Sequence, residues 1–277
     1  MPELPEVETI AKDLRKMIAG LTIAEVKVDY GKIVGTDLAG FAPSLTGRTI
    51  GDVGRIGKWL KMDLDSGFTL LAHLKMTGQF VLEEKPGALA SQWPAHARVG
   101  FKLVGEGVEK TLFYLDIRKF GRLRVFDQES LTNYLDFLAL GPDPLNLNSD
   151  RFHKIITSKK GRLKQILLDQ TLVSGLGNIY ADESLFAASL SPNRTTDSLT
   201  KLETAHLLAK IQAILTEAIE FRGSTVENYR ALDGPGSFQD RHQVYGKSGK
   251  PCPKCGQILV KIRIGGRGTV HCPACQT

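Results

Sequence analysis

Near its C-terminal end the 277-residue chain carries Cys252-Pro-Lys-Cys255 and Cys272-Pro-Ala-Cys275, a C-x2-C-x16-C-x2-C spacing that restricts what this segment can become. Each pair forms a two-thiolate knuckle, and two knuckles close one tetrahedral four-sulfur site. The spacing predicts one structural Zn²⁺ on Cys252, Cys255, Cys272 and Cys275, with disulfides or an iron site as the competing readings. Glu3, Glu6 and Glu8 stand where an export signal would be basic. A cytoplasmic, reducing setting is therefore expected, and there metal binding is the stronger use of cysteine. Between the knuckles Ile258, Val260, Ile262 and Ile264 alternate with Lys261 and Arg263, and Gly265-Gly266-Arg267-Gly268 supplies a turn. The metal is expected to pin a β-hairpin with Arg267 at its tip.

Charge singles out the same segment. Seven basic residues and no acid lie between Arg241 and Thr277, whereas residues 1–240 hold 29 basic against 30 acidic side chains. A basic module on a near-neutral body is the footprint of a polyanion binder, and no amphipathic apolar stripe accompanies it to favour a membrane. No apolar run approaches the ~18 residues of a membrane span.

The chain is longer than one core usually fills, so two domains are expected. Val7, Ile10, Leu14, Met17 and Ile18 recur at helical spacing over residues 5–19, and Gly20 ends the pattern. From about Leu21 to Phe126 short alternating stretches (Thr22–Val28, Thr69–His73, Arg98–Leu103, Thr111–Leu115, Arg122–Phe126) predict a β-sandwich or barrel capped by that helix. After Gly141-Pro-Asp-Pro144 the periods become helical over 150–157, 162–168, 178–188 and 198–221, and residues 223–247 read as a long loop of the kind that often forms a functional lid.

Several motifs carry chemistry. If Met1 is removed, Pro2 presents a secondary amine beside Glu3, although Pro2 and Pro5 equally suit a helix start. Glycines in Gly175-Leu-Gly-Asn178 let backbone N–H groups approach an anion at a helix N-terminus, or serve packing alone. Gly57-Lys58-Trp59, His73-Leu-Lys-Met76 and Asp116-Ile-Arg118-Lys-Phe120-Gly121 place basic residues beside Met76 and Phe120 in turn-like contexts. Apolar tips flanked by Arg and Lys equip proteins that push wedges between bases.

Taken together, the N-terminal Pro-Glu-Leu-Pro-Glu-Val-Glu, Arg55-Ile-Gly-Lys58, His73-Leu-Lys-Met76, the Asp116–Gly121 motif, Gly175-Leu-Gly-Asn-Ile-Tyr180, Gln243-Val-Tyr-Gly246 and the four cysteines resemble the bacterial formamidopyrimidine-DNA glycosylases over essentially the full length. The resemblance implies an α+β protein: a catalytic β-sandwich over 1–135, a helix–two-turn–helix domain over 145–222, a lesion-recognition loop and linker over 223–247, and a zinc finger over 248–277. It implies a monomer that closes on damaged double-stranded DNA in the cytoplasm, at the nucleoid, excises oxidised purines and cleaves the strand. By the same resemblance Pro2 is the nucleophile, Glu3 the adjacent acid, Glu6 its support, Lys58 an active-site base or acid, and Arg267 a phosphate contact linked to strand cleavage. Met76, Arg118 and Phe120 match the residues that fill the hole left by an extruded base, Arg118 facing the opposite cytosine. His73, His96, Lys159, Asn178 and Arg267 match DNA-contacting positions.

Some positions depart from that pattern. Glu227 stands where relatives often carry a basic residue, Gln165 replaces a common proline, and a usual His-x-His is reduced to His96-Ala-Arg98. These bear on lid contacts and lesion preference. The competing functions are an endonuclease VIII-like enzyme for oxidised pyrimidines and a non-catalytic zinc-ribbon nucleic-acid binder. The first fills the gap in the stack differently, and the second has no use for a processed Pro2.

Overall fold

Contacts divide the chain into two units in a computed structural model, which describes residues 1–35, 38–84, 93–225 and 232–277. The first comprises Met1–Pro2, Glu6–Phe137 and Ser224–Gly236; the second comprises Glu3–Pro5, Leu138–Gly223 and Ser237–Thr277. Glu227 lies outside the described residues.

Helix α1 (Leu4–Ile18) forms where the apolar residues recur three and four apart. Val7, Ile10, Leu14 and Ile18 are fully buried, whereas Lys12, Arg15 and Lys16 face solvent. Gly20 follows at φ 84° and donates its N–H to the Ile50 carbonyl, a left-handed turn that suits glycine. Next come β1 (Thr22–Val28), the short α2 (Leu38–Phe41), β2 (Ile50–Ile56), β3 (Trp59–Leu64), β4 (Thr69–His73), β5 (Gly78–Glu83), β6 (Ala97–Gly105), β7 (Val108–Asp116), β8 (Arg122–Phe126) and α3 (Gln128–Leu138).

The strands form two antiparallel four-stranded sheets, ordered β1-β6-β7-β5 and β2-β3-β4-β8. One core joins them: Ile23, Phe80, Phe101, Leu112 and Tyr114 from one sheet, Val53, Leu60, Met62, Leu70 and Leu123 from the other, and the buried face of α1. Each large apolar side chain so enclosed contributes roughly 1.5–3 kcal/mol against exposure. The sequence anticipated five of these eight strands. It did not single out β2, β3 or β5, nor α3, of which only Leu131 is buried.

The second unit contains α4 (Ser149–Thr157), α5 (Leu163–Leu167), α6 (Asn178–Ala187), α7 (Lys201–Glu220) and a hairpin of β9 (Val260–Ile264) and β10 (Arg267–His271). Asn148 caps α4, and Thr200 with Glu203 forms a capping box on α7. Phe152, Ile156, Leu163, Leu167, Tyr180, Leu185, Leu207 and Leu215 belong to its core. A smaller cluster of Phe186, Val244, Cys252, Leu259, Val270 and Cys272 lies under the cysteine-rich end. Within the stretch read as a loop, Phe238–Arg241 forms a 3-10 turn whose Phe238 is buried. No helix among the described residues is long and apolar enough to cross a membrane.

Candidate active site and nucleic-acid interface

In the first unit, Pro2 is buried and Met1 is half exposed. Lys58 is buried in the tight β2–β3 turn, preceded by Gly57 at φ 56°. The Glu6 carboxylate, also buried, accepts the Ser224 N–H at 2.8 Å, so it fixes the start of the segment that runs toward residue 227. Arg55 donates to Glu8 at 2.8 Å and tethers β2 to α1.

His73 ends β4 with its imidazole edge-on to Trp59 and its Nδ1 accepting the Lys75 N–H at 3.0 Å. An accepting Nδ1 leaves the ring proton on Nε2, where it can donate. Burial, then the charges of Lys75, Lys58 and Arg122, lower its pKa to about 3. An unfolded imidazole titrates near 6.5, so between about pH 6.5 and 3 the unfolded chain takes a proton that the folded chain refuses, and stability falls with falling pH. We expect His73 to cost about 3 kcal/mol of stability at pH 4.5 relative to pH 7.5. Urea midpoints across that range should fall less steeply for His73→Asn, whose amide oxygen can still accept from Lys75; parallel slopes would contradict it.

Met76, Arg118 and Phe120 come together from two connections, β4–β5 and β7–β8. Met76 and Phe120 are 44% and 53% exposed, which is unusual for such side chains. The Arg118 guanidinium bridges them, with Nη1 2.8 Å from the Met76 sulfur and Cζ 4.9 Å from the Phe120 ring centre. Beneath them the fully buried Asp116 carboxylate accepts from Thr77 Oγ1 (2.5 Å), Arg118 N (3.2 Å) and Gly121 N (2.7 Å). His96 is exposed at φ 68°, and its carbonyl accepts the Asp116 N–H at 3.0 Å.

In the second unit the buried Glu3 carboxylate lies at the N-terminus of α6, accepting from Ile179 N (3.0 Å) and Tyr180 N (3.4 Å). Unpaired N–H groups and the helix dipole favour an anion there. Gly177 permits the approach, since a Cβ at that position would overlap the Glu3 side chain. The sequence singled out these glycines for an anion and did not foresee that a side chain of the same chain would supply it.

Asn178 Nδ2 donates to the Gly268 carbonyl at 3.0 Å, and the buried Lys164 Nζ donates to the same oxygen at 3.1 Å and to Thr269 Oγ1 at 2.8 Å. Asp182 accepts the Val270 N–H and meets Lys164 at 2.6 Å. Burial pushes the Asp182 carboxyl up to about 6 and the Lys164 ammonium down, and their contact opposes both shifts. These bonds fasten β10 to α5 and α6. Gly265 and Gly266, at φ 53° and 77°, make the two-residue turn, and the exposed Arg267 begins β10 beside it, paired with Ile264. Lys159 is exposed and pairs with Asp169 at 3.1 Å.

The four cysteine Sγ atoms lie within 4.8 Å of one another, with Cys252–Cys275 at 3.9 Å and Cys255–Cys272 at 3.5 Å. Zinc–sulfur bonds of about 2.3 Å in a tetrahedron place sulfurs about 3.8 Å apart, so the set fits one zinc ion. Backbone N–H groups of Lys254 and Cys275 point at Cys252 and Cys272, an arrangement that favours thiolates.

Sequence reasoning assigned no role to Asp116, Lys164, Asp182 or Glu183. Glu183 is buried in α6 and accepts the N–H groups of Gln243, Val244 and Tyr245. Two adjacent acids in the run Ile179–Leu185, which holds no other charged residue, were the available signal, because a buried acid needs partners.

Residues 1–123 match the family model for the formamidopyrimidine-DNA glycosylase N-terminal domain, residues 140–230 that for the formamidopyrimidine-DNA glycosylase H2TH domain, and residues 249–277 the zinc finger found in FPG and IleRS. A formamidopyrimidine-DNA glycosylase of Streptococcus pyogenes is 43% identical over 281 residues, covering 100% of this chain and 98% of the relative. One of Pelotomaculum thermopropionicum is 39% identical over 284 residues, covering 100% and 99%. A solved complex between a Lactococcus lactis FPG mutant and a Fapy-dG containing DNA superposes with a TM-score of 0.91 at 36% identity, covering both chains fully. The structure of MutM in complex with carbocyclic 8-oxo-G containing DNA gives 0.90 at 34% identity, again over both full chains.

Proposed function

We propose that this chain, which belongs to the formamidopyrimidine-DNA glycosylase family, excises oxidised purines such as 8-oxoguanine and formamidopyrimidines from duplex DNA through a covalent intermediate on Pro2. The family makes it a DNA-repair glycosylase with a structural zinc site; substrate class and mechanism are our reading. The observation that carries it is the assembly of Met76, Arg118 and Phe120 into one exposed, cation-bridged apolar tip.

A base inside the stack cannot be reached, so it must be turned out, and unstacking costs a few kcal/mol. Met76 and Phe120 offset part of that loss by filling the gap, and Arg118 donates to the acceptors of the orphaned cytosine. The Pro2 amine attacks C1′, the bond from C1′ to the base breaks with its electron pair leaving on the base, and the base is protonated. Opening of the sugar ring then gives an iminium between Pro2 and C1′. That electron sink acidifies the C2′ proton, whose loss expels the 3′ phosphate; a second elimination expels the 5′ phosphate.

Glu3 beside the amine delivers protons to the departing base or sugar oxygen, and Lys58 serves as a further acid or base. The amine must be unprotonated to attack, whereas an ordinary terminal amine titrates near ~8. Arg267 and Asn178 hold phosphate, with His73, His96 and Lys159 as further backbone contacts. Cys252, Cys255, Cys272 and Cys275 hold zinc, which orders the hairpin and supplies no open position for chemistry.

Single-turnover excision tests the substrate class. We expect 8-oxoguanine opposite cytosine to be removed faster than 8-oxoguanine opposite adenine or an oxidised pyrimidine in the same context. Arg118→Ala should narrow the cytosine-to-adenine ratio by roughly 5- to 100-fold, the scale of one good Arg–base contact. A wild type that prefers the oxidised pyrimidine, or a ratio unmoved by Arg118→Ala, would refute the reading.

A further inference from the structure

Asp116 is used three times over by loops far apart in sequence. Its backbone N–H reaches the His96 carbonyl, and its carboxylate takes one hydrogen bond from Thr77, 39 residues away, and two from Arg118 and Gly121. Thr77 Oγ1 in turn accepts the Arg118 N–H at 3.1 Å. The neighbouring Lys75 and Lys119 both adopt left-handed backbone conformations, at φ 52° and 60°, which non-glycine residues take only when their surroundings hold them there. Space is constrained as well: the buried Tyr114 hydroxyl occupies the volume a Cβ would need at Gly78 or at Gly121, so both loops close on the same phenol.

We propose that Asp116 is the positioning residue of the Met76–Arg118–Phe120 wedge: its single buried carboxylate ties both insertion loops together, presets the wedge without DNA, and thereby governs duplex insertion and opposite-base discrimination. The inference rests on the wedge reading above and adds to it a residue that touches neither base nor sugar. Without the carboxylate, the backbone of the Arg118 loop is left tied to the other loop only through Thr77 Oγ1, and the Arg118 N–H loses one of the two acceptors that fix where its guanidinium emerges. A displacement of about 1 Å at such a site costs up to about 100-fold in rate.

The test compares Asp116→Asn with wild type on three substrates: 8-oxoguanine opposite cytosine, 8-oxoguanine opposite adenine, and borohydride trapping on an abasic single strand, which has no stack to enter and no opposite base. Asp116→Asn keeps the shape but sets an NH₂ group against donors. We expect duplex excision to fall about 10- to 100-fold and the cytosine-to-adenine ratio to drop several-fold, with single-strand trapping within about two-fold of wild type. Thr77→Val, which removes both bonds of the Thr77 hydroxyl, to the Asp116 carboxylate and from the Arg118 N–H, should shift duplex excision and ratio the same way by about three-fold, and it decides the matter if Asp116→Asn does not fold. An unchanged ratio in a folded variant, or single-strand trapping that falls in parallel with duplex excision, overturns the proposal. Failure of the wild type itself to trap any abasic DNA would instead count against the Pro2 reading and would be recognised as such.

Discussion

With Met1 retained in front of Pro2, the protein forms no borohydride-trapped complex with abasic-site DNA, a fall of about three orders of magnitude or more, because the proline nitrogen is then a tertiary amide with no basic lone pair. Pro2→Gly keeps a terminal amine but loses the ring that fills a buried position, and trapping is expected to weaken about 100-fold through misplacement. Neither change should unfold the protein, since α1 is held by Val7, Ile10, Leu14 and Ile18 farther along. Efficient trapping by the Met1-retaining form would contradict the expectation.

The second large effect is loss of the metal. Cys272→Ser, or chelation of the wild type, should release zinc, disorder residues 248–277 and weaken DNA binding by about 100-fold or more, because Arg267 and its basic neighbours lose their fixed geometry. The cluster beneath the hairpin contains six buried residues, two of them cysteines of the quartet, too little core to order the segment unaided. Trp59 and Trp93, the chain's two tryptophans, both lie in the first unit, so their fluorescence should report an unchanged sandwich. Full zinc occupancy and normal affinity in Cys272→Ser would sink this prediction.

How much of this was legible in the sequence depends on the distance over which a signal acts. The cysteine knuckles, the period of α1 and the alternation in β9 are local, and the structure carries each where the residues indicated. Helix α3 had a local signal that went unused: Asp127 caps it by accepting the Ser130 N–H at 2.8 Å, and its largely exposed surface left little apolar period to find. Strand β3 alternates Leu60, Met62 and Leu64, buried, with the partly exposed Lys61 and Asp63, a period-2 signal that also went unused.

At the site, the motif residues were readable as types, whereas their connections were not. Nothing in the spacing of Thr77 and Asp116 shows that they meet, nor that Glu3 is held by the first turn of a helix some 176 residues on. Those contacts are set by sheet pairing and by the packing of whole elements. Asp116 illustrates the difference: in sequence it is one polar residue ahead of Arg118, and in the fold it is where three connections converge.

The most direct measurement is peptide mapping of the borohydride-reduced adduct formed on abasic-site duplex. The account predicts that the sugar remnant is carried on the nitrogen of Pro2, in a peptide that begins at Pro2 and lacks Met1. An adduct on the side chain of Lys58, or on any other lysine, with Pro2 unmodified, would contradict it.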